Sequence, residues 1–298
     1  MRDRDYMVRG TAAEGRIRAF AIVTNQVVQN MYETHNTSPN VTAALGRLMT
    51  GALMMGAMMK NEKDRLTLSI RSEGPIQGMT VTVDNQGHVK GFPSVAQVPL
   101  VEKYPGKLDV GASVGKGTLT VVRDEGLKEP YSSQIILPTG EIGDDLTYYF
   151  AASEQVPSAV GLGVLVDTDL SVKDAGGFII QLMPDALDSD IDKLEANVKK
   201  INSITHLLEE GLSPEEMLQM ILGDMGLEIL SEMPVSYECD CSKDRVGRAL
   251  LSIGKGDLQE MVDEGKPVEL KCHFCNTVYT FTPDEIREMM GNEYGREM

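Results

Sequence analysis

All four cysteines of this chain fall between residues 239 and 275, as Cys239-Asp240-Cys241 and, thirty residues further on, Cys272-His273-Phe274-Cys275. Thiolate sulfur is a soft ligand, and four of them suit a tetrahedral Zn²⁺ with no coordination position left for water. Two close pairs brought together by a folded insert are what such a site needs, because each pair grips one edge of the tetrahedron. One zinc ion held by Cys239, Cys241, Cys272 and Cys275 is therefore expected. Two separate structural disulfides, or four unrelated buried thiols, are the plainer alternatives.

Zinc holds sulfur as thiolate, the form that reacts with peroxide or hypochlorous acid. An oxidised thiolate passes through sulfenic acid, which a second thiol one or two residues away can trap. Each pair is thus its own resolving partner, and oxidation of both would consume the ligand set. Loss of a structural zinc removes on the order of 10 kcal/mol of binding free energy, comparable with the stability of a whole domain. A purely structural Cys₄ site stays open beside this switch. The Cys-x-Cys spacing, less usual in structural ribbons, tilts the reading toward the switch. His273 reads as an exposed loop residue, and His35, His88 and His206 are isolated.

The elements that position these residues follow from periodicity. Asp5 to Gly10 reads as a strand, and a helix is expected from about Arg16 to Tyr32, where Ile17, Phe20, Ala21 and Thr24 share one face. Ser38-Pro39-Asn40 starts a second helix running to about Lys60. Met49, Met54, Met55, Met58 and Met59 make that helix unusual, since methionine adapts its shape and serves promiscuous surfaces. A plastic buried core helix is the simpler reading. From Arg65 to Val122 the period becomes two, with strands at 66–70, 79–83, 89–92, 112–114 and 119–122 and turns at Gly74-Pro75, Asn85-Gln86-Gly87 and Gly115-Lys116-Gly117. A strand at 132–137, a helix from about Asp144 to Gln155, and strands at 160–167 and 177–183 complete one antiparallel sheet. The fold class is α+β.

From Pro184 to about Leu230 no strand pattern is visible. Leu194, Val198, Ile201, Leu207 and Leu208 form an apolar stripe, and Ser213-Pro214-Glu215-Glu216 opens a helix with Met217, Leu218 and Ile221 inward. Short helices cannot bury a stripe alone, so these must lie on a neighbour. Three parts are expected: a sheet domain over 1–184, an acidic helical linker over 185–232, and a zinc-binding domain over 233–298. The last is too small for a generous core, and metal would supply the missing stability.

The formal charge of −17 is uneven. Residues 1–178 carry 17 basic and 20 acidic side chains, whereas residues 179–298 carry 11 and 25, a balance of −14. Phosphate backbones recruit Lys and Arg, so nucleic acid is not expected as a partner. The opening Met1-Arg2-Asp3-Arg4-Asp5 lacks a signal-peptide pattern, and Leu48 to Met59 is too short to span a bilayer of about 30 Å. A cytoplasmic protein with reduced thiols is expected, without membrane contact. Enzyme signatures are poor. Gly111 to Gly117 is one residue short of a P-loop and lacks the Ser/Thr after lysine; it reads as a hairpin turn, and no nucleotide is expected. Asp144 and Asp145 fit a helix N-terminus better than acid–base catalysis. A Cys-x-x-Cys oxidoreductase would carry its motif near the start of a βαβ unit.

With these residues assembled, the whole chain resembles the redox-regulated heat-shock holdase chaperones of bacteria, the thirty-three-kilodalton class. The cysteine spacing is the specific part. Gly74-Pro75-Ile76 with Gly78-Met79-Thr80-Val81, Pro130-Tyr131-Ser132-Ser133-Gln134, and Thr147-Tyr148-Tyr149-Phe150 leading to Ser153-Glu154-Gln155 support it. The resemblance implies an inactive, zinc-loaded reduced state. It further implies that oxidation forms the disulfides Cys239–Cys241 and Cys272–Cys275, releases zinc and disorders the linker and zinc domain. The exposed surface then holds unfolding client proteins without ATP, and the oxidised form pairs as a homodimer. A zinc-stabilised adaptor and a thiol–disulfide oxidoreductase are the competing classes.

The Cys239–Cys241 bridge has one fewer intervening residue and is the more strained of the two. Cys272–Cys275 should therefore close first during a peroxide time course followed by peptide mapping; earlier appearance of the 239–241 bridge would refute this order.

Overall fold

The computed structural model describes residues 4–201 and 203–294, with side chains to residue 291; the charged opening Met1-Arg2-Asp3 lies outside them. The chain divides into two compact units, one running to Glu238 and the other starting at Cys239. Strands β1 (Tyr6–Ala12) and β2 (Ile17–Val23) open the first unit, joined by a turn in which Ala13, Glu14 and Gly15 all have positive φ. Helices α1 (Asn25–His35) and α2 (Pro39–Gly56) follow.

The helix expected from Arg16 is thus overturned over its first turns. Ile17, Ala19, Ala21 and Val23 enter one apolar cluster while Phe20 and Ile22 enter another. A strand buried on both faces is almost continuously apolar, and its 17, 20, 21, 24 spacing imitates a helix. The second helix begins where Ser38-Pro39 indicated. Met49, Met54 and Met55 are buried in it, as a core helix requires. It is so tightly enclosed that a Cβ on Gly51 would lie 2.5 Å from Leu146.

Three strands follow, β3 (Arg65–Ser72), β4 (Gly78–Val83) and β5 (His88–Pro93), then a small hairpin β6 (Glu102–Tyr104) and β7 (Lys107–Leu108) that periodicity did not reveal. Residues 112–114, expected as a strand, lie in a short helix α3 (Val110–Val114), because the Asp109 carboxylate accepts the Ala112 N–H at 2.9 Å and caps it. Gly111–Gly117 is accordingly not a hairpin turn. Next come β8 (Gly117–Asp124), β9 (Tyr131–Ile136) and α4 (Ile142–Tyr149), which runs into a π-helical turn, Phe150–Glu154. Strands β10 (Ser158–Val166) and β11 (Val172–Leu182) precede three helices, α5 (Asp188–Val198), α6 (Ile204–Glu209) and α7 (Pro214–Leu222). Strands β12 (Glu228–Pro234) and β13 (Ser236–Tyr237) end the unit.

These strands form two main sheets rather than one. Sheet I has the order β10-β11-β2-β1-β12, and sheet II the order β13-β5-β4-β3-β8-β9. The inner faces of both sheets close on α2 in one large core. The outer face of sheet I, built from Val8, Ala19, Ala21, Phe178 and Ile180, is covered by Leu194, Leu208, Met217, Leu218 and Ile221 of α5 to α7. The fold class is the expected α+β. The absence of strands before Leu230 is corrected by β12, which pairs antiparallel with β1 and takes residues 233–238 into the first unit. As an exposed edge strand it has no inward face to impose alternation.

Polar contacts order α7 and pin α5 and α7 to the sheet domain. Ser213 and Glu216 make a reciprocal capping box at the start of α7. The Tyr6 hydroxyl donates to Glu215 at 2.9 Å, and Arg16 Nε donates to Asp190 Oδ2 at 2.7 Å. Arg16, then the Leu187 N–H, hold the Asp190 carboxyl below its usual range. The ionised form is favoured while α5 is docked, so this contribution is in force above about pH 4 and vanishes as pH falls through the depressed value. Asp190→Asn should speed hydrogen exchange several-fold in residues 188–198 at pH 7, corrected for intrinsic rates. The unaltered chain should approach that behaviour only in acid; equal protection of the two at pH 7 would show that the ion pair does not hold α5.

Candidate metal centre

The second unit contains α8 (Lys243–Leu251), α9 (Lys255–Glu264), the hairpin β14 (Val268–Lys271) and β15 (Val278–Phe281), and α10 (Pro283–Tyr294). Its buried core is Leu250, Leu258, Val262, Phe281, Ile286 and Met290, little for a module of this size. Cys239 and Cys241 lie on the extended segment leading to α8, whose start is capped by Ser242 accepting the Arg245 N–H at 3.2 Å. Cys272 and Cys275 occupy the loop of the β14–β15 hairpin. There the Cys272 N–H donates to Thr277 at 2.9 Å, the Asn276 N–H donates to Cys272 at 2.8 Å, and Asn276 takes φ of 61° to complete the turn. The loop therefore projects both sulfurs to one side from a rigid stem.

All four cysteines are unbridged, and their sulfurs lie within 4.8 Å of one another. Cys239 Sγ is 3.8 Å from Cys272 Sγ, and Cys241 Sγ is 3.3 Å from Cys275 Sγ. A tetrahedral zinc with Zn–S bonds of about 2.3 Å has S–S edges of about 3.8 Å, so spacing and donor chemistry both fit that ion. The set is half-buried, closed enough to hold a cation and open enough for a small oxidant.

Electrostatics point the same way. Burial pushes the Cys239 and Cys241 thiols up. At Cys275 burial also opposes ionisation, but hydrogen bonds from the hydroxyl and N–H of Thr277, together with those from Cys241 and Cys239, outweigh it and bring the thiol down to about 7. The Thr277 hydroxyl lies 3.2 Å from Cys275 Sγ, and the Tyr279 hydroxyl lies 3.1 Å from Cys241 Sγ. Tyr279 is itself pushed up to about 12, first by that hydrogen bond and then by burial. Once a sulfur is ionised, each hydroxyl can donate to it. Four thiolates at such separations repel strongly, and a divalent cation is what would allow them to ionise together.

The four expected ligands are thus brought together. His273 is exposed in the hairpin loop, as anticipated. The other histidines belong to the first unit and have partners there: His35 lies 3.1 Å from the Tyr237 hydroxyl, His88 2.9 Å from Asp84, and His206 3.4 Å from Glu210. Asp145 serves a turn, accepting the Thr139 and Gly140 N–H groups at 3.0 and 3.3 Å. Thr277 and Tyr279 escaped sequence reasoning; their one signal is their position two and four residues beyond Cys275, Thr277 at the end of the loop and Tyr279 on the returning strand. No described helix is long and apolar enough to cross a membrane.

This is a mixed α+β chain whose four free sulfurs converge in a small second unit, a cysteine centre able to hold a cation. The chain belongs to the Hsp33 protein family, whose model matches residues 5–282. A 33 kDa chaperonin of Agathobacter rectalis is 55% identical over 96% of this chain and 99% of its own length. A 33 kDa chaperonin of Clostridium botulinum strain Langeland is 47% identical over 99% of this chain and 100% of its own. The crystal structure of the 33 kDa chaperonin (heat shock protein 33 homolog) of Thermotoga maritima superposes with a TM-score of 0.88. It is 36% identical and covers 98% of this chain and 99% of that one.

Because its apolar core is small, the second unit should depend on a cation bound by the four cysteines. Treating the reduced protein with a strong chelator should abolish hydrogen-exchange protection across residues 243–290 while leaving α2 and both sheets protected. Unchanged protection in the second unit would mean that its six buried side chains suffice unaided.

Proposed function

We propose that this chain is an ATP-independent holdase chaperone controlled by the oxidation state of its cysteines. The convergence of four half-buried sulfurs within 4.8 Å, in a family whose relatives are called chaperonins, carries this reading. Cys239, Cys241, Cys272 and Cys275 would hold one zinc ion in the reduced chain. When bound, zinc keeps the four sulfurs as thiolates and ties the segment before α8 to the β14–β15 hairpin.

Oxidation by peroxide then proceeds at the sulfurs. One thiol of each pair becomes a sulfenic acid with release of water. Its neighbour displaces a second water to form Cys239–Cys241 or Cys272–Cys275, so each bridge consumes one peroxide and yields two waters. Both bridges closed, no thiolate would remain to retain the metal, and the second unit, which starts at Cys239, would lose the cross-link that compensates for its small core.

Release of the linker, residues 185–232, is the activating step. Its helices of 11, 6 and 9 residues are too short to persist alone. Their attachment is Leu194, Leu208, Met217, Leu218 and Ile221 on the outer face of sheet I. Detachment bares two complementary apolar surfaces at once, the helix stripe and the sheet of residues 1–184, which then take up unfolding client proteins and favour pairing as a homodimer. The surplus of acidic groups in residues 179–298 keeps the loaded complex in solution. A cytoplasmic setting, where thiols start reduced, suits the cycle.

Peroxide treatment, with zinc release and suppression of a client's aggregation followed together, tests the reading. The chaperone should gain activity as metal leaves and lose it on reduction with zinc restored. An adaptor would lose its fold without gaining activity, and an oxidoreductase would reduce disulfides at substoichiometric amounts; either result would overturn the proposal.

A further inference from the structure

The methionine-rich helix α2 does more than fill the core. Beyond its last residue, Met58 and Met59 are only half-buried and line a cavity of about 370 Å³ with Met55, Phe150 and Val156, within the size range of small-ligand sites. Arg18 enters the same cavity from β2. It lies on the inner face of sheet I with Phe20 and Ile22, opposite the face that carries α5 to α7.

Arg18 has no carboxylate partner, and the Phe20 ring lies 6.0 Å from its guanidinium carbon. Its Nε and Nη2 both donate to Gln181 Oε1, at 3.1 and 2.6 Å, and Gln181 is fixed by its own donation to Ser158 at 3.1 Å. That amide is neutral and occupies only the side-on edge of the guanidinium. The end-on fork, one N–H from each terminal nitrogen, keeps the geometry that matches a carboxylate. Among the described residues no carboxylate pairs with Arg18. Arg123, which also lines the cavity, is taken by Glu154 at 2.7 Å. Asp64 and Glu125 line it too, with Lys60 beside them, and Asp64 accepts the Asn61 N–H at 3.0 Å. Burial, and secondarily the like charge of Arg9, lower the Arg18 pKa, as for a cation without a counterion.

We infer that the Arg18 cavity is a binding site for a small carboxylate with an apolar body, the head group on the free guanidinium fork and the tail against Met55, Met58, Met59 and Phe150. The unbranched, polarisable thioethers adapt to tails of different shape, so selectivity resides in the head group.

Isothermal titration of the reduced full-length protein with decanoate, decanol and decyltrimethylammonium, below their micelle concentrations, tests this. Decanoate should bind one per chain and about tenfold or more tighter than decanol, with decyltrimethylammonium weakest. Arg18→Gln should bring decanoate down to the level of decanol, and Arg18→Lys should keep part of the preference. Met59→Glu, which leaves Arg18 in place but adds a negative charge to the cavity, should make decanol the tighter ligand; circular dichroism verifies that each variant is folded. No saturable binding, equal binding of decanoate and decanol, or a preference untouched by Arg18→Gln and Met59→Glu would each overturn the assignment. The readout involves neither metal nor client, so its outcome is separable from that of the redox reading.

Discussion

Four sulfurs packed within 4.8 Å of one another can be thiolates together only if a cation sits among them. Everything else in the second unit leans on this constraint. The hairpin loop and the segment before α8 are separate pieces of chain, and six buried side chains do little to fix them to each other. In the proposed switch, sulfur chemistry would control folding: a reaction that moves electrons at four atoms would alter the stability of some sixty residues. Hydrophobic contacts could not do this, because no small oxidant acts on a leucine.

The first unit has a different balance on its two sides. Inside, α2 is wrapped by both sheets, with methionines and glycines fitted so closely that an added methyl group at Gly51 would push the Leu146 side chain aside. Outside, sheet I carries three short helices held by one layer of apolar contacts and a few polar clips, Arg16 to Asp190 and Tyr6 to Glu215 among them. The inner layer has many contacts to lose and the outer layer few, so the outer layer opens at lower free energy. A protein built this way can shed a covering without endangering its core, which is the asymmetry that the proposed switch requires.

Legibility in the sequence followed the range of the interaction. The cysteine cluster was readable because ligand chemistry is written into two local spacings, and α7 because Ser213 to Glu216 is a local cap. Strand β2 was misread because burial on both faces removes the alternation that distinguishes strand from helix, and β12 because an exposed edge strand never acquires it. The six residues 233–238 fall in the first unit for the same reason: their affinity is for β1 and β5, partners more than a hundred residues away. Arg16 and Asp190, 174 residues apart, leave no trace in either local sequence. Thr277 and Tyr279 lie near the cysteines in sequence, yet a hydroxyl beside a thiolate has no spacing rule of its own.

Arg18 extends this argument to charge. A guanidinium at the rim of an apolar core is normally offset by a carboxylate, as Arg123 is by Glu154 across the same cavity. Gln181 instead offers one carbonyl oxygen, enough to orient Arg18 and too little to neutralise it. Replacing the amide by an acid would satisfy the cation internally and fill the fork, so the neutral partner is what keeps the site open. The same sheet thus has a closed, apolar outer face, shielded by helices, and an inner rim where a guanidinium without a carboxylate partner meets flexible thioethers. Proteins whose only task is to cover and uncover grease have no need of the second feature, and its cost in desolvation is what argues for a ligand.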